Sequence, residues 1–278
     1  MKKIIIIGGV AAGTKVAAKL KRENRDHEVI ILTKSKEISY AGCGLPYYVG
    51  NIIKDQAQLI VNTPEKFSKL TGAQVFTETE VVGLDRENKS VKAIDLRTNE
   101  EVTFSYDKLV IATGASPVKP PIEGIDLPGV YFMRTPEDAI NLRADIEAGK
   151  IKRAAVIGAG YIGLEVAENM ALQGVKVSVI EMAPNILTGF DKEFAEYAEN
   201  KLADHGIMAF TGTKLEAILG EGKVEKINFY VVSNNGDKLL RKEKEIPLYI
   251  KPKDKIRKIV QVSMENLWES KILKTSQI

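Results

Sequence analysis

Cysteine is nearly absent from this chain, because Cys43 is the only one among 278 residues. The chain therefore cannot form an internal disulfide, and a single cysteine suits a reducing compartment such as the cytoplasm. Long apolar runs are also missing, since no stretch approaches the roughly 20 apolar residues that a membrane-spanning helix needs. The sequence thus predicts a soluble, cytoplasmic protein that does not enter a membrane.

An excess of charge of one sign is lacking as well. The 40 lysines and arginines nearly balance the 37 aspartates and glutamates, which leaves a formal net charge of +3. Nucleic-acid binding usually requires a strongly basic patch, so we predict no nucleic-acid partner. Histidine occurs only at His27 and His205, both in polar stretches that are typical of a surface. No metal site is predicted.

What the sequence does contain is a repeated strand–turn–helix pattern. The segment "KKIIIIGGVAAGTKVAAKLKR" near the N-terminus recurs in kind as "KRAAVIGAGYIGLEVAENMALQG" from Lys152. Each copy has a short apolar strand, a glycine-rich turn and a helix with apolar residues at helical spacing. A second strand follows each copy, "HEVIILTKS" or "VKVSVIEMA". We therefore predict an α/β fold with two Rossmann-like nucleotide-binding domains.

The stretch between the two units contains short strands separated by turn residues, which is typical of an inserted β-meander. It ends in the apolar strand "KLVIATG", and the proline- and glycine-rich connector "ASPVKPPIEGIDLPGV" follows. We predict one domain over residues 1–114 and another over residues 115–225. The fold of residues 226–278 is left open, and one interpretation of part of it is a hairpin that turns at Asn235–Gly236.

A helix is predicted after the connector, in "TPEDAINLRADIEAGK". Thr135 is a favoured N-cap residue, and Pro136 suits the first helical position. Glu137 and Asp138 place negative charge in the first turn, where the helix dipole favours it.

The second glycine turn, "GAGYIG", fits the dinucleotide fingerprint G-x-G-x-x-G with Gly158, Gly160 and Gly163. These glycines allow a tight turn, close approach of a pyrophosphate and close helix–strand packing, and the helix N-terminus offers free N–H groups to the phosphates. Glu181 ends the following strand, where a carboxylate would bind an adenosine ribose and repel a 2′-phosphate. The sequence favours NADH over NADPH, and the alternative is a plain α/β turn without a ligand.

The first glycine turn, "GGVAAG", is looser, because Val10 takes the middle position between Gly8 and Gly13. Thr33 stands where an acid would be expected at the end of the following strand. Its hydroxyl would bind a ribose more weakly than a charged acceptor does. These residues alone leave open whether the turn binds a dinucleotide.

Four segments together resemble a known family: "ISYAGCGLPYYVGN", "YDKLVIATGASP", "RTPEDA" and "VIGAGYIGLEVAENM". They look like the single-cysteine enzymes of the pyridine nucleotide-disulfide oxidoreductase family, which include coenzyme A-disulfide reductase, NADH oxidase and NADH peroxidase. "GGVAAG" with "CGLPYY" is most similar to the coenzyme A-disulfide reductase branch. The resemblance implies that residues 1–114 form the first part of an FAD-binding domain and residues 115–225 an NAD(P)H-binding domain.

By this resemblance Cys43 is the redox centre, at the start of a helix whose first turn suits Pro46. A helix N-terminus favours a thiolate, because its amides and dipole stabilise negative charge. No second cysteine can close a disulfide, so the partner atom must come from another molecule. The product would be a mixed disulfide, a persulfide or a sulfenic acid. The alternative is that Cys43 is an inert core residue.

The resemblance also assigns binding residues. FAD contacts are expected at Gly8, Gly9, Val10, Ala11, Ala12, Gly13, Thr33, Lys34, Ala112, Thr113 and Gly114. NADH contacts are expected at Gly158, Gly160, Tyr161, Ile162, Gly163, Glu165 and Glu181. Coenzyme A contacts are expected at Lys15, Lys19, Arg22, Ser39 and Gly42. Tyr161 would cover the nicotinamide side of the flavin, and Glu165 would approach the nicotinamide. The alternatives are a surface aromatic, a carboxylate near a helix N-terminus and, for the basic residues, an ordinary exposed helix face.

The predicted function is an FAD-dependent oxidoreductase that moves electrons from NAD(P)H through FAD to Cys43 and reduces coenzyme A disulfide or a related disulfide or persulfide. Peroxide reduction is disfavoured, because Ala11 stands where peroxidase relatives carry a histidine. Two alternatives stay open: an NADH oxidase that converts oxygen to water, and a truncated nucleotide-binding remnant with little activity. Family members are homodimers, whereas the dimerisation domain is expected to be absent here.

Overall fold

The computed structural model describes residues 1–231 and 259–261, and the chain divides into two compact units. The first unit comprises residues 1–41 and 57–115, and the second comprises residues 42–56 and the described residues from Ser116 onward. The segment that carries Cys43 thus belongs to the second unit. This differs from the predicted division, which placed all of residues 1–114 in one domain.

The secondary structure alternates strands and helices. In chain order the helices are α1 (Ala11–Glu23), α2 (Leu45–Val49), α3 (Pro64–Thr71), α4 (Pro136–Glu147), α5 (Tyr161–Leu172) and α6 (Lys192–Asp204). The strands are β1 (Lys3–Ile7), β2 (Glu28–Leu32), β3 (Gln74–Phe76), β4 (Thr79–Asp85), β5 (Ser90–Asp95), β6 (Glu100–Ser105), β7 (Lys108–Ile111), β8 (Val130–Phe132), β9 (Arg153–Ile157), β10 (Lys176–Ile180), β11 (Met208–Phe210), β12 (Thr213–Leu219), β13 (Lys226–Val231) and β14 (Ile259–Gln261). Single 3-10 turns occur at Gly42–Gly44 and Gln56–Leu59.

The first unit is built on a parallel sheet with the strand order β3-β2-β1-β7, beside an antiparallel sheet β4-β5-β6. The middle of β1 is buried, as expected for a central strand of a parallel sheet that is covered on both faces. Ile4 and Ile6 pack in one cluster with Ala17 of α1, whereas Ile5 packs with Val91 of the antiparallel sheet. Each buried isoleucine contributes about 1.5–3 kcal/mol, so the apolar run "KIIII" favours the centre of the sheet.

The second unit contains a parallel sheet with the order β11-β10-β9-β14-β8 and an antiparallel pair, β12-β13. It repeats the hydrogen bonds that close the first glycine turn. The Gly158 N–H donates to the Ile180 carbonyl, and the Gly8 N–H donates to the Leu32 carbonyl, at 2.8 Å in both cases. The predicted fold class, two Rossmann-like units with a β-meander insertion, is therefore confirmed, and the meander lies within the first unit, between β3 and β7.

Helix α4 begins as predicted, with Thr135 as its N-cap and Pro136 in its first turn. The Thr135 hydroxyl accepts from the Asp138 N–H at 3.3 Å, and the Asp138 carboxylate accepts from the Thr135 N–H at 2.8 Å. This reciprocal pair is a capping box, which fixes the helix start.

The predicted domain end at residue 225 falls inside a hairpin. β12 and β13 pair across the turn that precedes Lys226, so residues 226–231 pack with the second unit. β14 lies between β9 and β8 and pairs with both in parallel. The hairpin predicted at Asn235–Gly236 lies outside the described residues.

Candidate functional site

The turn between β9 and α5 has the geometry that the dinucleotide fingerprint predicts. Gly158 has a φ of +100°, a left-handed conformation that favours glycine. A Cβ added to Gly163 would lie 2.1 Å from the Gly158 carbonyl oxygen. A side chain at either position would therefore open the turn and push α5 away from β9. Gly160 is the N-cap residue of α5.

The N-terminus of α5 has no side-chain cap among the described residues. Its first turn, which includes Tyr161 and Ile162, holds no acidic residue. Helix α4 differs, since Thr135 and Asp138 cap its first amides. Free N–H groups at the positive end of a helix bind phosphate groups well. This end of α5 is thus suited to the pyrophosphate of a dinucleotide.

Glu181 is fixed against the same turn by both of its carboxylate oxygens. Oε2 accepts a hydrogen bond from the Ala159 N–H, and Oε1 accepts one from the Ala183 N–H, each at 2.7 Å. A carboxylate has about four lone-pair positions, so both oxygens can still accept from ribose hydroxyls. The sequence predicted the position of Glu181 but not its bond to the glycine turn.

An aromatic group lies at the start of α5. The Tyr161 side chain is 60% exposed, and its ring makes an edge-to-face contact with Phe190, with 5.9 Å between the ring centroids. Phe190 in turn contacts Phe194 at 6.4 Å. Sequence reasoning found Tyr161 through the glycine turn but missed the two phenylalanines, because they lie outside any motif. Tyr161 is a surface aromatic in the second unit, beside the glycine turn.

Glu165 lies one turn further along α5 and is half-buried. Burial raises the pKa of its carboxyl above the ordinary value, and the nearby Glu168 carboxylate raises it further. Both causes disfavour the charged form.

Replacing Glu165 with glutamine is expected to stabilise the protein slightly at neutral pH. When folding raises the pKa of an acid, its charged form destabilises the folded state at pH values above the unfolded pKa, which is about 4.3 for glutamate. Below that pH the carboxyl is protonated in both states and has no such effect. The variant should melt slightly higher at neutral pH and unchanged at acidic pH, where both states are protonated. Calorimetry at the two pH values measures this, and a lower melting temperature at neutral pH would contradict the assignment.

The turn of the first unit has the same construction. Gly8 has a φ of +110°, and a Cβ there would lie 2.1 Å from the Ala112 carbonyl oxygen. A Cβ on Gly13 would lie 1.8 Å from the Gly8 carbonyl oxygen. Helix α1 has Val10 as its N-cap, begins with Ala11 and Ala12, and holds no acidic residue in its first turn. The structure thus brings together the turn, an uncovered helix N-terminus and the end of β7.

The remaining residues predicted for FAD lie around this turn. Thr33 is 6% exposed, and its methyl group lies 3.1 Å from where a Cβ on Gly9 would be. Thr113 and Gly114 directly follow Ala112 after β7. The Lys34 ammonium lies 3.6 Å from the Glu80 carboxylate, an exposed ion pair within the first unit. Such pairs contribute little stability, so Lys34 remains available to a ligand.

Cys43 is exposed. It lies in the middle of the 3-10 turn Gly42–Gly44, which leads directly into α2. The residues that follow it, Leu45 and Pro46, are buried, and a Cβ on Gly42 would meet nothing within 4 Å. The thiol is therefore not an inert core residue, and small molecules can reach it.

The residues predicted to contact coenzyme A are divided between the units. Lys15, Lys19 and Arg22 follow one exposed face of α1 in the first unit, where the Lys19 ammonium lies 2.5 Å from the Glu23 carboxylate. This contact lowers the pKa of Glu23. Ser39, also in the first unit, donates its N–H to the Gly9 carbonyl at 2.9 Å. Gly42 belongs to the second unit, with Cys43.

Residues 1–231 and 259–261 contain neither a candidate membrane-spanning helix nor a candidate metal site. No helix in these ranges is long and apolar enough to span a bilayer. No group of three or more histidine, cysteine, aspartate or glutamate side chains in these ranges is placed to hold a metal ion.

Comparisons with known proteins identify what the chain resembles. Residues 2–247 match the family model for "Pyridine nucleotide-disulphide oxidoreductase". The NADH oxidase of Methanocaldococcus jannaschii is 41% identical over 226 residues, which cover 81% of this chain and 50% of the relative. The coenzyme A disulfide reductase of Staphylococcus haemolyticus is 33% identical over 202 residues, which cover 73% and 45%.

A solved structure agrees with these relatives. The NAD-dependent persulfide reductase from A. fulgidus superposes with a TM-score of 0.80 at 33% identity, over 94% of this chain and 45% of that one. The chain spans about half the length of the curated relatives that it matches.

Proposed function

Because this chain belongs to the pyridine nucleotide-disulphide oxidoreductase family, we propose that it is an FAD-dependent oxidoreductase that moves electrons from NADH to Cys43 and reduces a small disulfide or persulfide of the coenzyme A type. The exposed Cys43 carries this proposal, since it is the only sulfur nucleophile in the chain that can exchange with a disulfide. The family prediction from four sequence segments is confirmed by the match over residues 2–247.

FAD is proposed for the turn of the first unit. The uncovered N-terminus of α1 and the close approach of Gly8 to Ala112 and of Gly13 to Gly8 fit a pyrophosphate against backbone. The turn from Gly8 to Gly13 and the residues after β7 would hold the group. When bound, FAD would supply a two-electron carrier between the dinucleotide and the thiol.

NADH is proposed for the turn of the second unit. The amides at the start of α5 would bind the pyrophosphate, and Glu181 would accept hydrogen bonds from the adenosine ribose. The charge of Glu181 would repel a 2′-phosphate at the same position. NADPH is therefore expected to bind less tightly than NADH.

Glu181→Gln is expected to weaken NADH binding about 10- to 100-fold, because the amide nitrogen cannot accept from Ala159 or Ala183, or from a ribose hydroxyl. The ratio of the Kd for NADPH to that for NADH should fall, because the repulsive charge is gone. Calorimetric titration with both nucleotides measures this. Glu168→Gln, which replaces an exposed carboxylate of α5, is the control and should bind both as the unaltered protein does. An unchanged ratio in Glu181→Gln would contradict the assignment.

The proposed chemistry at Cys43 is thiol–disulfide exchange. The Cys43 thiolate attacks one sulfur of the substrate, so that the substrate S–S bond breaks, one thiolate leaves and a mixed disulfide forms on Sγ. Two electrons that originate from NADH, with one proton, then break the mixed disulfide and release the second thiol. Cys43 returns to the thiolate, and the lack of a second cysteine makes the external thiol the necessary partner.

The test is the stoichiometry of the reaction with coenzyme A disulfide. The FAD-reconstituted protein is expected to release about two thiols for each NADH oxidised, in the absence of oxygen. Purified protein that binds NADH but never retains flavin, and releases no thiol, would contradict the proposal and support a nucleotide-binding remnant.

A second candidate function is NADH oxidase activity. The 41% identity to a protein named NADH oxidase favours it. In that reaction the two electrons of one NADH would reduce oxygen to peroxide, and the peroxide would oxidise the Cys43 thiolate to a sulfenic acid with release of one water. A second NADH would then reduce the sulfenic acid to the thiolate and release the second water. Oxygen consumption with NADH in the absence of any disulfide distinguishes this reaction from thiol release.

A further inference from the structure

We propose that Arg143 of α4 is a positioning residue for Cys43, and that it acts by fixing the C-terminal end of the short helix that Cys43 precedes. The inference rests on the proposed redox function of Cys43. Sequence analysis assigned no role to Arg143, which resembles an ordinary member of an i,i+4 ion pair with Glu147.

Arg143 contacts several groups at the end of α2 and in the segment just after it. Its side chain is only 12% exposed. Its guanidinium carbon lies 4.4 Å from the centroid of the Tyr48 ring, within the range of a cation–π contact. Its nitrogen atoms donate to the carbonyl oxygens of Tyr48 at 3.2 Å, Ile53 at 2.9 Å and Lys54 at 3.2 Å, and to Asn51 Oδ1 at 2.8 Å.

These acceptors lie at the end of α2 and in the segment that follows it. The Tyr48 carbonyl belongs to the last turn of α2 and also accepts from the Asn51 N–H at 3.1 Å, whereas Ile53 and Lys54 lie beyond the helix, which ends at Val49. The C-terminus is the negative end of a helix, so a nearby cation is favourable there. A guanidinium offers five donors in a fixed plane, whereas a lysine ammonium is a compact point charge. Arginine at position 143 can therefore bind several carbonyls at once, which lysine cannot reproduce.

Helix α5 fixes the same segment from a second direction. Gln173 Nε2 donates to the Gly50 carbonyl at 2.7 Å. The side chain of Asn169, which is 1% exposed, packs so closely that a Cβ on Gly50 would lie 2.0 Å from its Oδ1. Asn169 is itself held by a bond from its Nδ2 to the Glu165 carbonyl at 2.8 Å. The helix that offers its N-terminus to a dinucleotide thus also supports the Cys43 segment.

Such support is needed because α2 is short. It has five residues, and a helix of this length is unstable without tertiary contacts. Cys43 lies between Gly42 and Gly44, which restrict the backbone little. Its position is therefore set by α2, whose buried face and clamped C-terminal end fix the direction in which the chain leaves the 3-10 turn.

The experiment compares Arg143→Lys and Gln173→Ala with the control Glu147→Gln in the full chain loaded with FAD. Glu147→Gln removes the charged acceptor of Arg143 Nε but leaves the bonds from the other guanidinium nitrogens to the end of α2 and the segment after it. Hydrogen exchange is measured over residues 45–53, which include the Gly50 and Ile53 amides that bond to the Pro46 and Tyr47 carbonyls. Thiol release from coenzyme A disulfide and the KM for NADH are measured in parallel.

Arg143→Lys is expected to speed exchange of residues 45–53 and to lower kcat for thiol release, each about 10- to 100-fold. Gln173→Ala should have a smaller effect in the same direction. The KM for NADH and exchange in the Gly158–Gly163 turn should stay at the level of the unaltered protein, as should every quantity in Glu147→Gln.

The proposal is overturned if exchange changes without kcat, if kcat changes without exchange, or if neither changes in Arg143→Lys. Failure of the proposed function is distinguishable, because it would appear as absent thiol release in the unaltered protein. If thiol release is absent and exchange is unchanged in Arg143→Lys, the proposal that Arg143 fixes the end of α2 is overturned as well. If thiol release is absent and exchange is faster, Arg143 stabilises the fold only, and its positioning role is overturned.

Discussion

Cys43→Ser is expected to lower the rate of thiol release from coenzyme A disulfide by about 1,000-fold or more, because a serine hydroxyl does not attack a disulfide at neutral pH. The side chain is exposed, so its replacement should cost little stability. Flavin content and the bleaching of the flavin by NADH should be unchanged. Anaerobic assays of thiol release and of the visible spectrum measure the two halves of the reaction separately.

The two halves also provide the control for this variant. If Cys43→Ser loses flavin bleaching as well as thiol release, the substitution has disturbed cofactor binding and the comparison says nothing specific about the sulfur. Thiol release within about tenfold of the unaltered protein would show that the disulfide is reduced without Cys43.

Gly13→Ala is expected to weaken FAD binding at least about 100-fold, because the new Cβ would lie 1.8 Å from the Gly8 carbonyl oxygen and force α1 away from β1. Gly83→Ala is the matched control in the same unit. Its Cβ would meet only the Lys92 side chain, at an ordinary distance of 3.5 Å. Flavin retained after gel filtration measures the effect, and equal retention by the two variants would contradict the assignment of FAD to this turn.

The same design separates the two cofactors. Gly163→Ala places a Cβ 2.1 Å from the Gly158 carbonyl oxygen and should weaken NADH binding while FAD is retained. Gly189→Ala, in the same unit and with nothing within 4 Å of its Cβ, should bind both. If Gly163→Ala lost flavin and kept NADH, the assignment of the two turns would have to be exchanged.

The local parts of this structure were predictable because their signals are local. The glycines of both turns, the position of Glu181 and the cap at Thr135 follow from short motifs whose geometry is nearly invariant. The meander followed from short strands separated by turn residues. Gly222, which has a φ of +71°, lies in the turn between β12 and β13. The sequence predicted a hairpin turn at Asn235–Gly236 and none at Gly222.

The placement of the Cys43 segment was not predictable for a physical reason. Its contacts with Arg143 and Gln173 join residues that are about 90 or more positions apart. The periodicity of a five-residue helix does not indicate which helix it packs against. The contact of Phe190 with Tyr161 was not predictable for the same reason, because it depends on the path of the chain between α5 and α6.

An anaerobic titration with NADH tests most directly whether Cys43 is a redox centre that accepts electrons from the dinucleotide. The FAD-loaded protein is first treated with coenzyme A disulfide and freed of excess, so that Cys43 carries a mixed disulfide. It should then consume about two NADH per flavin before the flavin stays reduced, whereas Cys43→Ser should consume about one. Equal NADH consumption by the two proteins would contradict the account, because the mixed disulfide on Cys43 would then accept no electrons from NADH.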